Sequence, residues 1–141
     1  MSLIVNRRDL DFVMYEALDL NKILESEHYA DYDRESLDAM MDLCQSLAED
    51  QFLPSAGKLD ANEPKFIDGK VETIPELKEA INAYREAGLC TSAYDADIGG
   101  MQLPWMMDQA LNGMFVCANN PIHTYLFLTQ GVANMLNACG S

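Results

Sequence analysis

Formal charge stops before the last third of this chain begins. All nine Lys and Arg residues lie at or before Arg85, and of 23 acidic residues only Asp108 lies beyond Asp97. The 44 residues from Ile98 to Ser141 therefore carry a single formal charge. Such a stretch cannot present solvated surface on every side, because a helix that is weakly polar all round is normally buried in a large core or placed in a membrane. A chain of 141 residues holds one domain's worth of core, which is too little to enclose two such helices. The pattern predicts a helical end that some further polypeptide surface covers.

The composition narrows the class. Apolar residues make up 49% of the chain, which is globular rather than disordered. The net charge of −14 repels nucleic acid and anionic lipid and keeps the exposed faces soluble. Cys44, Cys90, Cys117 and Cys139 form no CxxC pair; the three within predicted helices read as small buried hydrophobes, and the set implies a reducing, cytoplasmic setting. Met1 to Val5 is too short for a signal peptide. The run from Ile122 to Cys139 is interrupted by Thr124, Thr129, Gln130, Asn134 and Asn137, too polar for a membrane span.

Periodicity predicts an all-α bundle of about five or six helices with one minor β-hairpin. Leu10, Val13, Met14, Ala17 and Leu18 make a first helical stripe with Asp9 as its cap, and a short helix follows near Asn21. Asp33 is expected to cap an amphipathic helix whose buried face is Leu37, Met40, Met41, Cys44, Leu47 and Ala48. That helix is expected to end near Pro54 to Gly57, with Ser55 to Pro64 as a polar loop. Asp68-Gly69 supplies the positive φ angles of a tight hairpin turn, and so small a hairpin is expected to pack on the helices. Pro75 opens a helix presenting Leu77, Ala80, Ile81, Tyr84 and Ala87, which Gly88 stops. A loop centred on Gly99-Gly100 leads to a helix opened by Pro104 and a last one opened by Pro121. Gly113 and Gly131 lie inside these helices, where glycine commonly admits close approach of another backbone or a ligand.

No catalytic centre is visible in these patterns. Gly99-Gly100 matches no phosphate-binding motif, and His28 and His123 lack metal-ligand spacing. His28 reads as a surface residue of a polar turn and His123 as a first-turn helix residue. The carboxylates fall on solvated helix faces, and the paired methionines read as core fillers.

One ordered set of segments resembles a known family. Ala87-Gly88-Leu89 followed by Tyr94 to Pro104, with Gly99-Gly100 and Leu103-Pro104, is similar to the E-A-G … E-x-G-G-x-G-L-P stretch of acyl-CoA dehydrogenases. Asp11 to Glu16 resembles the opening helix of the subgroup with an N-terminal extension, and Ala48 to Pro54 its long helix ending in proline. Asp68-Gly69-Lys70-Val71 with Pro75 and Lys78-Glu79-Ala80, then Ala118-Asn119, Leu128-Thr129 and Cys139-Gly140-Ser141, follow in order. The chain departs from the subgroup at Leu89, where Trp or Phe is common, at Leu126, where Pro is common, and at Cys139, where His is usual.

The resemblance implies an extension over residues 1–32 and a helical N-terminal domain over residues 33–141, with the middle and C-terminal domains absent from this chain. It implies α,β-desaturation of an acyl-CoA thioester by the intact enzyme. FAD would be held there and not by this chain alone, and the base, a glutamate, would lie in a later region. It implies Tyr125, Thr129, Gln130 and Ala133 as a wall of the acyl pocket. Gly131→Leu is then expected to disturb folding or domain packing. An electron-transferring flavoprotein and a homo-oligomer are the implied partners. The rival reading from the residues alone is a self-standing acidic helical interaction protein whose apolar end pairs with a second copy or another partner.

Overall fold

The computed structural model describes residues 2–140; Met1 and Ser141, the outer ends of the Met1–Val5 and Cys139-Gly140-Ser141 segments, lie outside them. Helix α1 (Arg7–Asp11) runs directly into a π-helical segment, Phe12–Ala17. Asn6, not Asp9, stands at the cap, and Asp9 sits in the first turn, where it accepts from Asn6 Nδ2 at 2.7 Å. A carboxylate there complements the positive end of the helix dipole. The Leu18 N–H reaches back five residues to Val13 O at 3.0 Å. The extra residue per turn rotates the buried face, so Met14 and Tyr15 enter the core while Val13 and Leu18, expected inside, stay exposed. Helix α2 (Leu20–Leu24) then buries Leu20.

Helix α3 (Arg34–Leu47) begins as expected. The Asp33 carboxylate accepts from Ser36 N at 2.8 Å, and Ser36 Oγ accepts from Asp33 N at 3.0 Å, a reciprocal capping box. The Ser36 N–H chiefly holds the Asp33 carboxyl below the usual range. Leu37, Met41, Cys44 and Ala48 are buried, with Met40 and Leu47 packed beside them. Burial pushes the Cys44 thiol up to about 12, so it packs as a hydrophobe.

The chain does not turn to loop after α3. It continues through a π-helical turn, Ala48–Phe52, a 3₁₀ turn, Leu53–Ser55, and helix α4 (Ala56–Ala61). Pro54 falls in the first turn of the 3₁₀ segment, where its missing N–H costs nothing, and Leu59 gives the predicted loop an apolar anchor.

Strands β1 (Lys65–Ile67) and β2 (Lys70–Glu72) pair antiparallel with Phe66 opposite Val71. Asp68 at φ 50° and Gly69 at φ 79° make the turn that the Asp-Gly pair predicts. The expected packing on the helices is absent: every strand residue is exposed, Phe66 by 75%. Ile74, two residues past β2, is where the chain re-enters the core, so the hairpin stands outside it.

Helix α5 (Pro75–Glu86) buries Leu77, Ala80 and Tyr84, and Gly88 leaves it at φ 77°. The loop that follows is tied to itself by Met101 N to Thr91 O at 3.1 Å, Gln102 N to Tyr94 O at 2.8 Å and Leu103 N to Ser92 O at 2.9 Å. Tyr32 Oη donates to Met101 O and Gln102 Nε2 to His28 O, which fastens the loop to the 28–32 segment. Helix α6 (Trp105–Cys139) has two limbs, as the two prolines predict, hinged at Asn119 with φ −161° and ψ 87°. Phe52, Tyr84 and Phe115 meet at the centre, with Phe115 4.9 Å from each of the other two ring centroids. The fold is all-α with one minor hairpin. Among the described residues, no helix is long and apolar enough to cross a membrane.

Candidate functional site

The hinge in α6 sets its two limbs at an angle, and the 89–94 segment lies alongside both. A groove of about 370 Å³ opens between them. Trp105 and Val116 from the first limb, Phe127 from the second and Tyr94 from the loop form apolar walls. Gly113 on the first limb and Gly131 on the second both border this space, and a Cβ on either would meet no side chain or other backbone within 4 Å. No backbone of this chain approaches them, so the expectation that Gly131→Leu disturbs folding finds no contact here. The two glycines instead leave the groove open.

Its floor is polar. Asp108, the last formal charge, is 4% exposed, and His123 is 3% exposed. Ser92 Oγ donates to Asp108 Oδ1 at 2.5 Å, and Asn112 Nδ2 and Gln109 Nε2 donate to Asp108 Oδ2 at 3.0 Å each. A carboxylate only accepts, so Asn112 must turn its amide nitrogen to Asp108 and its oxygen the other way. That oxygen accepts from Tyr84 Oη at 3.0 Å and from His123 Nε2 at 3.0 Å. His123 therefore carries its proton on Nε2. Burial holds the imidazole below its ordinary pKa, against an opposing pull from Asp108, so the neutral ring is favoured. Burial also raises the Tyr84 and Cys90 hydroxyl and thiol.

The sequence reading gave Asp108 no role and took His123 only as a first-turn helix residue. A signal for Asp108 was present: it shares a stripe with Leu111 and Phe115, three and seven residues on, which are both buried. His123 has the same kind of signal in Leu126, three residues on and buried, but nothing local marks its tie to Asn112, which lies on the other limb.

The four residues expected to wall a pocket separate. Gln130 borders the groove, its Nε2 donating to Leu89 O at 3.3 Å and its backbone oxygen accepting from Tyr94 Oη at 3.5 Å. Tyr125 and Thr129 are exposed on the far side of the limb, about 160° around from Phe127. Thr129 Oγ1 donates to Tyr125 O at 2.9 Å. Ala133 is half-buried and lies one helical turn on from both Thr129 and Gln130, between the two sides. With Leu128, Val132, Met135 and Leu136, Tyr125 forms an uncovered apolar face, in line with the loss of charge in this stretch. Among the described residues, no group of His, Cys, Asp and Glu is arranged to hold a metal ion.

A helical domain with an apolar groove and one uncovered helix face is the class of unit that fold and site define. Two curated relatives align with most of it. The butyryl-CoA dehydrogenase of Syntrophomonas wolfei is 29% identical over 133 residues, which is 92% of this chain and 22% of the relative. The broad-specificity linear acyl-CoA dehydrogenase FadE5 of Mycobacterium tuberculosis is 32% identical over 123 residues, 85% of this chain and 20% of the relative. The chain thus spans about a fifth of the length of these relatives. No family model matches it. Over this region the chain is similar to acyl-CoA dehydrogenases.

Proposed function

We propose that this chain serves as the N-terminal helical domain, residues 33–141 with an extension over 1–32, of an FAD-dependent enzyme that desaturates acyl-CoA thioesters. The observation that carries the reading is the alignment of nearly the whole chain with a region of two acyl-CoA dehydrogenases. The open groove and the uncovered face of α6 support it, since both are surfaces that further domains and a ligand would complete. In this reading the groove side of the second limb, through Gln130, borders the acyl chain. Tyr125, Thr129 and Ala133 lie where the further domains meet that limb. The groove itself does not fit a flavin: its lining holds the Asp108 carboxylate and no Lys or Arg to meet a diphosphate. In this reading FAD and the catalytic base lie in the further domains, as do contacts to a homo-oligomer and to an electron-transferring flavoprotein.

The test is to extend the source reading frame past the codon for Ser141, purify the encoded protein and assay it. Bound FAD and acyl-CoA desaturation are expected, with Gly131→Leu shifting preference toward shorter acyl chains. A flavin-free, inactive longer protein would overturn the reading.

The uncovered apolar face also favours a second reading, a self-standing interaction protein. In that case a stop follows Ser141 and the chain forms a specific, stable oligomer in sedimentation analysis.

A further inference from the structure

The hydrogen-bond directions on the groove floor leave one polar atom without a role. Asn112 Oδ1 accepts from His123 Nε2, so Nε2 holds the proton and Nδ1 of the neutral ring is an acceptor. Nδ1 makes no hydrogen bond among the described residues, and it is not one of the sealed atoms without a partner. His123 is 3% exposed and the groove is the open space it borders. No donor of the network is directed at it: Tyr84 Oη serves Asn112, and the hydrogen bonds that Asn112 Nδ2 and Gln109 Nε2 make among the described residues go to Asp108. A purely hydrocarbon occupant would displace water from Nδ1 and leave a buried acceptor unpaired, which is unfavourable. An occupant bringing its own donor would not.

We propose that the groove takes an acyl or alkyl chain bearing a hydrogen-bond donor, a hydroxyl or an amide, and that His123 is the acceptor that selects for it. This rests on the groove being a ligand surface, as in the function proposed above, and adds the class of ligand. His123 is here a specificity-determining residue; it performs no bond-making step. Sites that pair a polar ligand group reject the analogue lacking it more strongly than apolar sites reject a missing methylene.

The test compares two isomers, 1-hexanol and 1-methoxypentane, which hold the same atoms but only one O–H. Each is titrated into the chain labelled with ¹⁵N histidine. The alcohol is expected to bind about tenfold more tightly, the worth of one hydrogen bond, and to move the His123 Nδ1 resonance, while the ether leaves it in place. Equal affinities with an unmoved Nδ1 would overturn the selection while leaving the groove as a chain site. Binding of neither would overturn the groove as a ligand surface as well. In a folded His123→Phe chain the two isomers should bind alike; a retained preference would remove His123 from the proposal. Should that variant not fold, the Nδ1 shift in the unaltered chain decides.

Discussion

The side-chain amide of Asn119 donates to the backbone carbonyl of Phe52 at 3.1 Å, joining the hinge of α6 to the π-helical turn that ends α3. The same nitrogen lies 3.3 Å from Ser55 Oγ, and Oδ1 accepts from Ile122 N at 3.3 Å. One residue thus caps the second limb, two positions before Pro121, and pins the bend to a neighbouring element. Asn119→Leu keeps the volume but leaves the Ile122 N–H unpaired in a buried place and the Phe52 carbonyl with the Ser55 hydroxyl as its remaining side-chain donor. A loss of about 2 kcal/mol is expected from the cap and the lost hydrogen bond together, read as a lowered urea midpoint. An unchanged midpoint would mean that the hinge is held by packing alone.

Gly100 has a stricter requirement than its neighbour. A Cβ there would lie 2.0 Å from Tyr94 O, and Tyr94 O is already the acceptor for Gln102 N. Neither backbone group can give way without undoing the loop that lines the groove. Gly99, at φ 86°, has open space around its Cβ position and pays only for backbone conformation. Gly100→Ala is expected to cost about 3 kcal/mol by overpacking, and Gly99→Ala about 1 kcal/mol. Thermal unfolding of the two variants side by side checks the order; the reverse order would mean that the loop relaxes at Tyr94.

These two glycines show how far the sequence was legible. The Gly-Gly pair marked a loop, but only the fold shows which member meets another backbone. Helix existence was readable wherever apolar spacing was regular, as from Leu37 to Ala48, and turn chemistry gave the hairpin through Asp68-Gly69. What failed depended on departures from ideal period. The π-helical turn at Phe12–Ala17 moved the buried face off Val13, and helix α4 grew from a stretch rich in polar residues because one apolar side chain, Leu59, found the core. At the site, the uncovered face of α6 was foreshadowed by the missing charge. The network from Ser92 through Asp108 and Asn112 to His123 was not, because it joins three segments across a hinge, and no local pattern reports such a meeting.

Gly113 and Gly131 should respond in the opposite sense to Gly100. Both lie in α6 with helical neighbours and nothing within 4 Å of a Cβ. Alanine lowers the backbone entropy of the unfolded chain and fills no occupied space. Each of Gly113→Ala and Gly131→Ala is expected to stabilise the chain by about 0.5–1 kcal/mol while narrowing the groove. Raised melting temperature together with weakened binding of a linear alcohol would show glycines retained for space rather than for folding. Destabilisation by either would mean that the groove closes in solution.

Acid should weaken this fold first through His123. Burial holds its folded pKa below the ordinary value of 6.5, with Asp108 pulling the other way. Between the two values the unfolded chain binds more protons than the folded one, so stability is full above about pH 6.5 and falls as pH descends through that window. The carboxyls of Asp33, Glu49 and Glu76 are also held below their ordinary values, by Ser36, Ser2 and Lys58 respectively. Their contribution has the same sign, present above their unfolded pKa and lost as pH falls, but it is lost lower, near pH 4 and below. Tyr84 and Cys90, raised by burial, titrate on the alkaline side and leave this window alone. The melting temperature is therefore expected to drop between pH 7.5 and 5.5, and His123→Gln, which keeps a donor for Asn112 but cannot titrate, should flatten that drop while leaving the steeper loss near pH 4. An undiminished slope in the variant would move the acid sensitivity off the groove floor.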